Sequence, residues 1–253
     1  MSELHFNTIE HNQKEYYNKI AEKYDEHYSN KYALEYRYRT YDKILFGMDF
    51  KNLNVLDAMC GGGESTGYFL SKGAKVTGLD ISEKQCEIYT KRYPDIPVYC
   101  NSITKTNFSN NEFDFIITDS LHHLHPNVDE GVREIHRILK KKSYFLVWEP
   151  SAGSFFNYLR KKWYRMDKIY FEDNEQSIDI DKLKLRHNEI FEFKKNIYGG
   201  NLAYLLVQES MLFRIPSKLI KYYAPLLLPF DQFIQNFQGK RTSCWVLSLL
   251  KKV

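Results

Sequence analysis

Between Leu53 and Val147 short β-branched runs alternate with longer amphipathic ones, and this alternation restricts the fold more than any other feature of the chain. It asks for a parallel sheet whose strands are joined by crossover helices packed on its faces. The spacing predicts strands over Leu53–Asp57, Lys75–Asp80, Pro97–Asn101, Phe113–Asp119 and Ser143–Trp148, and helices over Glu64–Ser71, Ser82–Arg92 and Val128–Lys140. Four of the five strands finish on an acid or an amide: Asp57, Asp80, Asn101 and Asp119. Ligands of open α/β sheets bind beyond the carboxyl ends of the strands, so these residues locate a site before any motif is considered.

Outside this core the pattern predicts two Tyr-rich helices, Gln13–Tyr28 and Tyr32–Phe46, placed to fold over the mouth of the sheet. After Glu149 it predicts a helix over Gly153–Met166, a polar loop over Phe171–Lys184 and a strand over Glu189–Asn196. Helices over Asn201–Phe213 and Lys218–Phe237 follow, the second interrupted by Pro225 and Pro229, before a last strand at Cys244–Leu250. The expected organisation is a single α/β domain: residues 1–50 a helical cap, residues 51–150 a ligand-binding core, and residues 201–239 an apolar helical insertion.

The balance of 36 Lys and Arg against 32 acids leaves a net charge of only +4, too even to mark a nucleic-acid surface, and a nucleic-acid partner is not expected. Cys60, Cys86, Cys100 and Cys244 are widely spaced, form no CxxC pair, and read as reduced core thiols. Met1 to Lys14 lacks an apolar stretch and no run of 18 apolar residues occurs, so neither a signal peptide nor a membrane span is expected and the cytoplasm is the default location. The sequence leaves the oligomeric state open.

Val55-Leu56-Asp57-Ala58-Met59-Cys60-Gly61-Gly62-Gly63-Glu64 is an apolar strand running into a glycine turn and then a helix. Glycine lets a backbone pass close to a ligand where a Cβ would collide. The second strand ends on Asp80, nineteen residues after Gly61, where a carboxylate accepts from both hydroxyls of a ribose, and a nucleoside is implied. A dinucleotide fingerprint fails because its third glycine position holds Thr66, and a P-loop fails because no Lys-Ser/Thr follows the glycines.

With these residues in place the chain resembles the class I S-adenosylmethionine-dependent methyltransferases, in particular their small-molecule, quinone-biosynthesis-like group. The likeness covers roughly residues 16–150: VLDAMCGGG is similar to the family's first motif, VTGLDIS at Val76–Ser82 to the second, YCNS at Tyr99–Ser102 to the third and FDFIITDSLHHL at Phe113–Leu124 to the fourth. The resemblance implies a Rossmann-like, seven-stranded, mostly parallel sheet with S-adenosylmethionine as cofactor and S-adenosylhomocysteine as product. It implies that Asp57, Ala58 and Met59 form the turn near the methionine end, with Asp57 anchoring it, and that Gly61 and Gly63 make room for the cofactor. Asp80 would hold the ribose, Ile81 pack on the adenine, and Asn101 and Ser102 face its edge. Met59 departs from the family's usual glycine and Asn101 from its usual aspartate, the second a mild change because an amide carbonyl still accepts from an adenine amino group.

A sulfonium methyl is already activated, so such an enzyme mainly aligns the reactants and excludes water. A hydroxyl acceptor must also lose a proton, and His122 and His123, directly after the fourth strand, are the candidate bases, His122 the first of them. The alternative is a structural LHHL loop. Asp119 is expected either to touch the methionine end or acceptor or to cap the next turn, and Glu149 resembles a structural acid of the family. No metal is expected, since these residues lack a ligand spacing. The expected activity is methylation of a small-molecule or lipid-linked acceptor, with a sugar or glycolipid hydroxyl foremost. C-methylation of a quinone-type ring, or a non-catalytic cofactor-binding scaffold, are the alternatives. The insertion at 201–239 reads as a lid, a partner interface or a peripheral membrane contact, the last helped by Lys161, Lys162, Arg165, Lys218 and Lys221.

Overall fold

The computed structural model describes the backbone of residues 2–119, 121–166 and 176–253. Seven strands form one sheet: β1 (Asn54–Ala58), β2 (Lys75–Asp80), β3 (Val98–Cys100), β4 (Phe113–Thr118), β5 (Leu139–Pro150), β6 (Phe191–Gly199) and β7 (Trp245–Lys252). Their order is β3-β2-β1-β4-β5-β7-β6, and only β7 runs antiparallel to its neighbours. The alternation predicts its parallel strands and crossover helices, and the seven-stranded, Rossmann-like form is the one that the resemblance implies. The chain leaves β1 toward β2 and β3, then returns to add β4 on the other side. That reversal opens a crevice at the carboxyl ends of β1 and β4.

Alternation along each strand divides the core between the two faces of the sheet. Val55, Phe115, Ile117, Leu146, Trp148, Trp245 and Leu247 pack on one side, against α2 (Lys31–Ile44), α3 (Thr66–Ser71) and α8 (Ser217–Gln235). Leu56, Ile116, Phe145, Val147 and Val246 pack on the other, against α5 (Val128–Ile138) and α7 (Ile180–His187). Helix starts follow local chemistry: Asn30 accepts from the Tyr32 N–H at the head of α2, and Ser82 accepts from the Gln85 N–H at the head of α4 (Glu83–Arg92). The N-terminal helix α1 (Ser2–Tyr28) lies along α4, where the Asn18 amide oxygen accepts from the Ser82 hydroxyl at 2.7 Å and Lys14 pairs with Glu83.

Aromatic packing fixes α2 to the sheet. Tyr36 stacks on Trp148, Tyr41 meets Trp148 edge-on, and the fully buried Trp245 indole donates to the Tyr36 hydroxyl at 2.9 Å.

Several expected boundaries move. The glycine turn runs on to Ser65, so α3 begins at Thr66 rather than Glu64, and α5 stops at Ile138 because Leu139 already pairs with Phe113 in the sheet. Of the loop expected over 171–184, residues 171–175 lie outside the described residues, and Ile180–Lys184 are helical because Ile180 and Leu183 bury one face of α7. The helix expected over Asn201–Phe213 is reduced to a π-turn at Tyr204–Gln208 with loose turns around it. The helix α8 runs through Pro225 and Pro229 without interruption. Both prolines stand on its exposed side, where the carbonyls of Lys221 and Pro225, which lose their helical partners, face water. All four cysteines are free thiols, but Cys100 is exposed on the edge strand β3 rather than buried in the core.

Replacing Trp245 by Ala is expected to cost about 3–5 kcal/mol of stability. Tyr36→Phe, which strips the hydroxyl from the buried indole N–H, is expected to cost about 1 kcal/mol. Urea unfolding of both variants measures the difference.

Candidate active site

Two cavities adjoin at the crevice and share Tyr17, Tyr24 and His123 as their common wall. The narrower cleft runs past Met59 and Gly61 to Asp80 and Ile81 and ends at Asn101 and Ser102, under Glu10 and Gln13 of α1. At the end of β2 the Asp80 carboxylate accepts from the Gly61 N–H and the Ser82 N–H, each at 2.9 Å. Burial still raises its pKa, against those two N–H groups. The Gln85 side chain projects into the same cleft from the first turn of α4, is 1% exposed, and has neither its amide oxygen nor its nitrogen hydrogen-bonded. A buried amide with both ends unsatisfied marks a place for a polar ligand. Asn101 folds back so that its side-chain oxygen accepts from the Ser102 N–H at 2.8 Å, and the Ser102 hydroxyl donates to Glu10 at 2.6 Å.

The glycine turn behind the cleft is built from special backbone. Met59 takes φ of 58°, a left-handed conformation that glycine would adopt without strain, and its side chain lines the cleft. Gly61 also has positive φ, and a Cβ there would approach Glu64 at 3.1 Å. Gly63 faces the other way: a Cβ on it would strike Tyr93 at 2.6 Å, so its room is used by packed tyrosines rather than by the cleft. Asp57 and Ala58 are buried beneath the turn, where the Thr66 hydroxyl donates to Asp57 at 2.7 Å and burial holds the Asp57 pKa well above the ordinary range. Glu64 is also buried. Desolvation pushes its pKa up to about 7, and its Oε1 has no hydrogen bond and stands 3.9 Å from Arg92.

The wider cavity, about 420 Å³, is walled by aromatic and aliphatic side chains, including Tyr16, Tyr28, Trp148, Phe156 and Met211. Its polar groups come in pairs. Glu149, at the end of β5 with no solvent exposure, accepts from the Leu121 N–H at 2.7 Å and lies 2.8 Å from His122 Nδ1. Burial pushes the Glu149 pKa up to about 8, against the nearby His123. With the proton on Nδ1, His122 donates to Glu149, and its Nε2 is left as the basic nitrogen. The Tyr17 hydroxyl of α1 bonds His123 Nε2 at 2.9 Å, and the two histidine rings lie 4.0 Å apart. Asp119 pairs with the buried Arg37 of α2, whose guanidinium also reaches the Tyr41 and Ser65 hydroxyls and stacks 5.3 Å from the Trp148 ring. Tyr28 donates to Glu209 at 2.8 Å on the far wall. Residues of 204–213 wall this cavity, and none of α8 does.

The crevice thus brings together Asp80, Ile81, Gly61, Met59, Asn101 and Ser102 along one cleft, and His122, His123 and Asp119 around the adjoining cavity. Sequence reasoning missed Arg37, Glu64, Gln85 and the contact of Glu149 with His122. Gln85 alone carried a signal, three residues past an N-cap serine on the turn that faces the strand ends; the others depend on which distant elements meet.

Residues 55–142 match the family of methyltransferase domains. An uncharacterised methyltransferase of Synechocystis is 32% identical over 111 residues, 39% of this chain and 52% of that one. A demethylmenaquinone methyltransferase of Chlorobaculum parvum is 29% identical over 120 residues, 47% of this chain and 48% of that one. The chain therefore spans about half the length of the curated relatives it matches. A Thermotoga maritima structure, described as an S-adenosylmethionine-dependent methyltransferase and possible histamine N-methyltransferase, superposes with a TM-score of 0.65 at 17% identity, over 94% of this chain and 99% of that one. At that identity the likeness shows the fold.

Glu64 and Glu149 both have native pKa values raised above the 4.5 of an exposed glutamate, to about 7 and about 8. The folded state therefore holds protons that the unfolded state releases. Their contribution to stability is complete below about pH 4.5 and is lost as pH rises through 7 and 8. Urea midpoints are expected to decline across that window, and Glu64→Gln with Glu149→Gln is expected to flatten the decline; an unchanged slope would contradict it.

Proposed function

From a chain that carries a class I methyltransferase domain, we propose an S-adenosylmethionine-dependent enzyme that methylates a hydroxyl on a small or lipid-linked acceptor, of the sugar or glycolipid type. The observation that carries this reading is the His122–Glu149 pair on the wall of the apolar cavity, beside His123, which that cavity shares with the narrow cleft. The cofactor reading of the cleft has independent support: the unsatisfied Gln85 amide and the Asp80 carboxylate suit a nucleoside. Asp80 would hold the ribose hydroxyls, Asn101 and Ser102 the adenine edge and Ile81 its face. Asp57, Ala58, Met59 and Gly61 would shape the turn at the methionine end, and Gly63 would support it through Tyr93.

When bound, S-adenosylmethionine supplies an electrophilic methyl group, and S-adenosylhomocysteine remains. His122 Nε2 takes the proton of the acceptor hydroxyl, while Glu149 fixes the ring and, in its ionised form, stabilises the charge that the ring gains. Tyr17, Tyr24 and His123 wall the junction and would exclude water from it. C-methylation of a quinone-type ring is the second reading, favoured by the demethylmenaquinone methyltransferase among the relatives and by the aromatic cavity wall.

Calorimetry is expected to show binding of S-adenosylmethionine and S-adenosylhomocysteine, weakened about 100-fold or more by Asp80→Ala through loss of charge-assisted hydrogen bonds. No binding by folded protein would sink the assignment. With a hydroxyl acceptor, His122→Ala is expected to lower kcat roughly 10²–10⁴-fold. Turnover that survives replacement of both His122 and His123 would point to the carbon acceptor.

A further inference from the structure

The outer face of α8 carries Leu219, Tyr222, Leu226, Phe230 and Phe233, with Phe237 in the turn beyond its end; all are exposed, Leu226 by 77% and Phe237 by 76%. At about 100° per residue these six side chains fall within roughly 80° of arc, opposite the buried Ile220, Ala224, Leu228, Asp231 and Gln235. The spacing of 219, 222 and 226 recurs eleven residues later at 230, 233 and 237. Eleven residues make about three turns, so the six side chains keep to one side of the helix for about 27 Å. A straight apolar stripe suits a flat surface.

Charge decides which surface. Between Ser210 and Arg241 the only acid is Asp231, which is buried, while Arg214, Lys218, Lys221, Lys240 and Arg241 are basic, Lys240 being paired with Asp179 and Asp181. On neighbouring α2, Glu35 is already paired with Arg39, and Glu26 of α1 takes the Ser217 hydroxyl at the head of α8. The segment leading into α8 also supplies Met211, Leu212 and Phe213 to the wide cavity, and Phe213 and Leu159 are partly exposed, so apolar surface extends from the cavity to the outside.

We infer that α8 lies on an anionic lipid bilayer, its Leu219–Phe237 stripe among the acyl chains and Lys218 and Lys221 at the phosphates, and that the wide cavity receives a lipid-linked acceptor from that surface. The inference rests on the lipid-linked form of the proposed function for its acceptor, but the lipid contact is measured without methyl transfer. In co-sedimentation, the protein is expected to pellet with vesicles of phosphatidylglycerol and phosphatidylcholine and far less with phosphatidylcholine alone. Leu226→Ser with Phe230→Ser is expected to weaken partitioning tenfold or more. Lys218→Gln and Lys221→Gln are each expected to weaken it about fivefold on the anionic vesicles only. Circular dichroism and S-adenosylmethionine calorimetry on the same preparations check folding and the cofactor site, so a failure of the proposed function shows there and not in the pellet. Absence of vesicle binding, binding insensitive to these variants, or a dimer in equilibrium sedimentation that Leu226→Ser with Phe230→Ser dissolves would each overturn the inference, the last by assigning the stripe to a second copy of the chain.

Discussion

The buried guanidinium of Arg37 is where the helical cover, the glycine turn and the end of β4 meet. It pairs with Asp119, reaches Ser65 and Tyr41, and lies over the Trp148 ring. Removing a charge of this kind from water is costly unless its partners are in place, so Arg37 stays only if α2, the turn and β4 come together in one arrangement. The aromatic packing of Tyr36, Tyr41, Trp148 and Trp245 sets α2 on the sheet with enough apolar contact to support that arrangement. The same corner walls the wide cavity, which Arg37, Asp119 and Trp148 all line.

A buried acid organises the end of β5 as well. Glu149 binds the Leu121 and His122 N–H groups and faces the His122 ring, so a single carboxylate shapes the 3₁₀ turn Leu121–Leu124 and orients its histidine. A histidine held this way has one defined basic nitrogen directed away from its carboxylate. His123 is bound differently, to Tyr17 of α1, and its place in the wall shared by both cavities suits it to contact whatever passes between them.

The strand alternation, the glycine turn and the acids at strand ends were legible in the sequence because each depends on neighbours within a few residues. The same holds for Asp80, whose carboxylate meets N–H groups of the turn and of the helix start that the pattern had already placed. Arg37 was not legible: on α2 it is one basic residue among several, and only the fold brings it to Asp119, 82 positions away. Glu149 was visible as an acid beside a proline, but its bond to His122 spans 27 positions and two elements. Gly63 misled for a related reason, since its small size serves Tyr89 and Tyr93 on α4 and just beyond it rather than a ligand. The prolines of α8 misled because their effect depends on which side of the helix meets water, a property of packing rather than of composition.

The two covering helices are held by different contacts. Before its end at Tyr28, α1 meets the core through the buried Ala21 and His27, the rings of Tyr16, Tyr17 and Tyr24, and polar contacts around the cleft: Tyr17 to His123, Glu10 to Ser102 and Thr104, Asn18 to Ser82, Asp25 to Arg92, and Lys14 to Glu83. Exposed ion pairs such as the last contribute about 0–1 kcal/mol, and water replaces such bonds readily. By contrast α2 is locked through buried aromatic rings and the Arg37 cluster. A ligand as large as a nucleoside must pass Glu10, Gln13 and Tyr17 to reach Asp80. Both helices thus shape the approach to the cleft: α1 lines it, while α2 holds Asp119 and the glycine turn in register.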